Sequence, residues 1–84
     1  MAMTMKTVMT WDDKPGVAAI ETARAAYIKT ATAAGDTDGV SVSLGSNTYS
    51  RGWSNATTAA AWTDFIQSTA AANGRTVTVV TRAI

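Results

Sequence analysis

Eighty-four residues with a net charge of +1, from seven basic and six acidic side chains, make one domain without the strong field that would draw it to nucleic acid or an anionic membrane. Neither cysteine nor histidine occurs, which excludes disulfide staples, a Cys/His metal site and a histidine-ligated haem. Much of the 46% hydrophobic fraction is alanine, so the expected core is thin and self-association is the expected route to added burial.

Residues 1–6 lack a charged region followed by a long apolar run, and no stretch approaches the ~18 apolar residues of a membrane span. A soluble, cytoplasmic protein is expected. Met5, Thr7, Met9 and Trp11 alternate with Lys6, Val8 and Thr10, giving a first strand over 5–11 with neither face cleanly polar. Asp12, Asp13 and Pro15 then supply cap and first-turn chemistry for a helix. Its stripe is Val17, Ile20, Ala23 or Arg24, Tyr27, Ile28 and Ala31, with Glu21, Arg24 and Lys29 largely off it, and Gly35 ends it.

Asp36-Thr37-Asp38-Gly39 has the start of a calcium loop, but the later ligands and the bidentate glutamate are missing, so a helix-to-strand turn is expected. Val40, Val42 and Leu44 alternate with Ser41 and Ser43 as a second strand. Gly45-Ser46-Asn47 turns the chain into a third strand over 48–53, with Tyr49, Arg51 and Trp53 on one face and Thr48, Ser50 and Gly52 on the other. A two-residue turn at Ser46-Asn47 puts Tyr49, Arg51 and Trp53 on the face of Val42 and Leu44. A three-residue turn puts them opposite. The second register is preferred here, with small residues under the helices and the row Tyr49, Arg51, Trp53 facing outward on the bare side of the sheet, because an arginine under helices needs a partner to offset its desolvation.

Ser54 or Asn55 caps a second helix ending at Asn73-Gly74, with Ala59, Trp62, Phe65, Ile66 and Thr69 inward. The same Asn55 begins an Asn-Ala-Thr sequon, for which capping is the expected use. The β-branched run within 75–84 is the fourth strand. The order β-α-β-β-α-β with a central hairpin predicts an α+β ferredoxin-like sandwich over 1–84. Its four-stranded antiparallel sheet has the order 4-1-3-2 and two helices on one face.

The segment Tyr49-Ser50-Arg51-Gly52-Trp53-Ser54-Asn55, followed by Ala59-Ala60-Ala61-Trp62-Thr63-Asp64-Phe65, resembles short ferredoxin-like proteins of marine bacteriophages and ocean metagenomes. The plan as a whole is similar to the dimeric α+β-barrel superfamily, in which two sheets pack face to face. The second resemblance implies a homodimer, and a cavity between the sheets that could hold a small molecule or a cofactor-free active site.

Trp11, Tyr49, Arg51 and Trp53 are accordingly the candidate interface or ligand face. Arg51-Gly52-Trp53 matches the opening of the RNA-recognition signature on a third strand, but the further aromatics and a basic groove are missing, so single-stranded nucleic acid is the lesser expectation. Asp12, Asp13, Glu21, Asp36, Asp38 and Asp64 show no spacing that argues for a shifted pKa, so a non-catalytic binding or assembly module without cofactor or metal is expected.

Overall fold

A computed structural model describes residues 2–12 and 17–84. The chain runs β1 (Met5–Trp11), α1 (Ala18–Ala33), β2 (Ser41–Gly45), β3 (Thr48–Trp53), α2 (Ala56–Ala72) and β4 (Val77–Ala83). All pairings are antiparallel and the sheet order is β2-β3-β1-β4, as expected from the pattern. The expected cap and first turn at Asp13 and Pro15 lie outside the described residues, but Asp12 does not cap α1. The helix begins at Ala18 after Val17, which makes no side-chain cap bond, and the Asp12 carboxylate instead accepts from Thr76 N at 3.2 Å and pairs with Arg75. Both helix ends follow from glycine: Gly35 and Gly74 have φ of 78° and 70°. The amides two residues past each C-cap, on Asp36 and Arg75, return to Ala31 O and Ala70 O at 2.9 and 2.8 Å.

Asn55 starts α2 with a reciprocal cap. Its side chain accepts from Thr58 N at 2.9 Å, while Thr58 Oγ1 accepts from Asn55 N at 3.3 Å. Asn55→Ala is expected to cost about 1 kcal/mol of unfolding free energy, measured by urea denaturation. The Asp36–Gly39 stretch is a turn tied to β3: Thr37 Oγ1 donates to Gly52 O at 2.7 Å and Asp38 Oδ1 accepts from Val40 N at 2.9 Å.

The hairpin corrects the expected placement of the third strand. Ser46 and Asn47 both take positive φ, 52° and 58°, the geometry of a two-residue mirror-image turn, and Gly45 pairs with Thr48. Ser43, however, pairs with Tyr49, so the register shifts across Leu44. That bulge adds one residue to β2 and reverses the face of everything before it. Tyr49, Arg51 and Trp53 therefore do lie opposite Val42, as in the preferred register, but the faces are exchanged. The aromatic-arginine row is beneath the helices, with Trp53 at 0% and Arg51 at 5% exposure, while Val42 and Leu44 are half-exposed or more at 50% and 57%.

The core explains the exchange. Trp53 stacks on Trp62 of α2 with centroids 5.4 Å apart, Tyr27 of α1 meets Trp53 edge-on at 6.4 Å, and Phe65 stacks on Tyr27 at 4.3 Å. Trp53 Nε1 donates to the buried Thr7 Oγ1 at 3.0 Å. Met9, Trp11, Ile20, Ile66 and Val77, with Ala31, Ala59 and Ala70, complete the core. Burying the bulky row gives the alanine-rich helices aromatic mass to pack on, which small β3 residues could not supply.

The open face is consequently free of aromatic side chains. Val42, Ser50, Val8 and Val80 form one register row across all four strands, and Thr48, Thr10 and Thr78 form the next. Lys6 and Arg82 sit beside Gly52, which Met3 covers closely: a Cβ at Gly52 would come within 3.0 Å of Met3 Cγ.

Candidate functional site

The bulge at Leu44 also shapes a cleft. With Val42 and Leu44 turned outward, the helix-facing side of β2 offers Ser41 and Ser43, which cannot fill the space below α1. Whereas α2 lies close over β1, β3 and β4, α1 approaches only α2 in this way. Two adjoining compartments run along the gap between α1 and the β2-β3 hairpin, with Arg24 and Ser41 bordering both.

The first compartment, about 470 Å³ and wide-mouthed, is lined by Arg24, Ala25, Ile28, Lys29, Gly39, Ser41 and Arg51. Three of those residues are cationic and none is acidic. Arg51 stands out physically. Its guanidinium lies over the Trp62 ring, 5.7 Å from the centroid, yet buried Nε and Nη1 have no hydrogen-bond partner, and no ion pair forms to any described residue. The third such atom among the described residues is Trp62 Nε1, also a donor. What this part of the interior lacks is an acceptor.

Burial pulls the Arg51 guanidinium below its ordinary pKa, the like charge of Arg24 adds to this, and Asp38 opposes it. Arg24 leans toward Glu21 at 3.8 Å, a long contact between exposed side chains that contributes little.

The second compartment, about 140 Å³ and better enclosed, is lined by Met9, Trp11, Ile20, Glu21, Arg24, Ser41 and Tyr49. Apart from Glu21 and Arg24 at its rim and the Ser41 hydroxyl, its walls are apolar or aromatic. A further depression between α1 and α2, over Tyr27 and Phe65, opens broadly to solvent and carries the carboxylate of Asp36 instead of a cation.

Of the four residues singled out in the sequence, Trp11, Tyr49 and Arg51 line the cleft, whereas Trp53 is enclosed behind it in the core. Tyr49, Arg51 and Trp53 do not form an outward row, so the sheet presents no aromatic platform for stacked bases. Sequence reasoning missed Arg24, Lys29 and Ser41. Their signal was present but ambiguous: Arg24, Ala25, Ile28 and Lys29 share one side of α1 by helical spacing, which reads equally as a solvated flank.

Among the described residues no group of three or more acidic side chains could hold a metal, and no helix is long and apolar enough to cross a membrane. In comparisons with known proteins, no family model, no curated protein and no solved structure matches this chain.

Proposed function

We propose that this domain is a non-catalytic binding module that takes a small oxyanion-bearing ligand in the cleft between α1 and the β2-β3 hairpin. The observation that carries the reading is Arg51: a cation 5% exposed, with two nitrogens lacking acceptors, beside Arg24 and Lys29. A buried charge normally has a partner, because its desolvation costs several kcal/mol. Here the described residues supply an aromatic face, Trp62, and a more distant aspartate, Asp38. A carboxylate or phosphate oxygen entering the mouth would relieve the mutual repulsion of Arg24 and Arg51 and offset the guanidinium charge that the described residues leave uncompensated.

The test is thermal unfolding in sodium acetate against sodium chloride at matched ionic strength, for the unmodified protein and for Arg51→Met. Acetate should stabilise the former, by about 2.7 kcal/mol at a hundredfold excess over Kd, and leave the latter unchanged. Equal response to the two salts would contradict the reading.

A second reading, self-association of the open sheet face with a second copy, is favoured by the row Val42, Ser50, Val8, Val80. The row has no charge and ends in exposed valines. A two-fold axis along the row would set Val42 against Val42 and Val80 against Val80 of the other copy, and would place the Lys6 and Arg82 end of each sheet over the partner's threonine end, separating like charges. Val80→Lys would then convert a dimer to a folded monomer in sedimentation experiments; an unmodified protein that stays monomeric at every concentration contradicts this second reading.

A further inference from the structure

Resting on the anion-binding reading above, we infer that the ligand is amphipathic: a small carboxylate whose apolar body, of about benzene size, occupies the compartment of Met9, Trp11, Ile20 and Tyr49 while its carboxylate meets Arg51, Arg24 and Lys29.

Both walls of the cleft set the same polarity and the same spacing. On the β3 wall, Tyr49 and Arg51 are two residues apart on one face, hence about 7 Å. On the α1 wall, Ile20 and Arg24 are one helical turn apart, about 6 Å along the axis. Each wall therefore passes from apolar to cationic over a distance matching two or three methylenes plus a ring radius.

The enclosed end sets the size. Its volume of about 140 Å³ is close to the ~150 Å³ of an apolar protein cavity that takes up benzene. Met9 at 2%, Ile20 at 1% and Trp11 at 6% exposure give it a wall already fixed by the core, so little ordering is needed on binding.

The charge of the head group follows from the rim. Glu21 borders the apolar compartment, and the charge of Asp38 acts favourably on Arg51. Two carboxylates flanking three cations favour a monoanion over a phosphate dianion or a polyanion. The planar guanidinium matches a carboxylate edge. Ser41, at the boundary of the two compartments, offers a hydroxyl where the connecting chain of the ligand would pass.

The experiment is calorimetric titration of the full chain, in a buffer free of phosphate and carboxylate, with acetate, 3-phenylpropanoate and 3-phenylpropanol. The expected result is 3-phenylpropanoate binding at least tenfold more tightly than acetate, with the alcohol at least tenfold weaker than the acid. In Tyr49→Val, a β-branched replacement that suits the strand, the ratio of phenylpropanoate to acetate affinity should fall at least fivefold. Equal affinity for acetate and phenylpropanoate overturns the amphipathic ligand while leaving anion binding in place. Binding of neither acid overturns the reading on which it rests. An alcohol that binds as well as its acid overturns the assignment of a carboxylate to the cationic end, and an unchanged ratio in Tyr49→Val overturns the placement of the apolar body.

Discussion

Arg51→Met should make the ligand-free protein more stable. The guanidinium is buried with two unsatisfied nitrogens and a like charge on Arg24, and it lies over the face of Trp62. A cation–π contact returns up to about 2 kcal/mol when desolvated. The effective penalty for burying an ion is several kcal/mol, so the balance is unfavourable. Methionine keeps an unbranched stem of similar length and packs on Trp62 without a charge. The expected gain is about 1–2 kcal/mol, or roughly 5–15 °C in the melting temperature of a domain this size. Urea denaturation should show a higher midpoint at unchanged slope. A loss exceeding 1 kcal/mol would instead make Arg51 part of the scaffold. A residue that lowers the stability of the fold and lines a cleft is what a binding site held at the cost of stability looks like.

Trp53→Ala should nearly abolish folding. The indole is wholly buried, stacks on Trp62, touches Tyr27 and donates to Thr7 Oγ1. Truncating such a side chain costs about 3–5 kcal/mol, and loss of the donor leaves the Thr7 hydroxyl without this partner. Typical stabilities per residue give a domain of this length only about 4–13 kcal/mol in total. The variant should lose its near-ultraviolet circular dichroism and unfold at low urea. A well-folded variant with altered oligomeric state would instead identify Trp53 as an interface residue, in conflict with its burial.

Much of the architecture could be read from the chain because its signals are local. Alternation marks β1, glycine at 35 and 74 sets both helix ends, and Asn55 with Thr58 makes a cap from residues three apart. The order of elements then fixes the sheet order through the handedness of the two crossovers.

The face of the hairpin was not legible, for a definite reason. Parity across Gly45-Ser46-Asn47 depends on whether a bulge precedes the turn, and Leu44-Gly45 is compatible with either outcome. Desolvation of Arg51 argued for an outward row, but it was outweighed by burial of Trp53 against Trp62, which pulled Tyr49 and Arg51 inward on the same face. The arginine thus came to the cleft as a consequence of its aromatic neighbour two residues on. Arg24, an alternative to Ala23 on the apolar stripe of α1, and Lys29, off that stripe, gave no sign of a cleft because nothing in the helix itself reveals that β2 offers only serines beneath it.

The most direct measurement of anion recognition is the ¹⁵N spectrum of the arginine side chains during titration with 3-phenylpropanoate, with the Arg51 Nε–H signal assigned by its loss in Arg51→Met. The Arg51 signal should shift saturably together with that of Arg24, while Arg75 and Arg82, which do not line the cleft, stay in place. An Arg51 signal that does not move at ligand concentrations saturating any calorimetric response would contradict anion binding at this cleft.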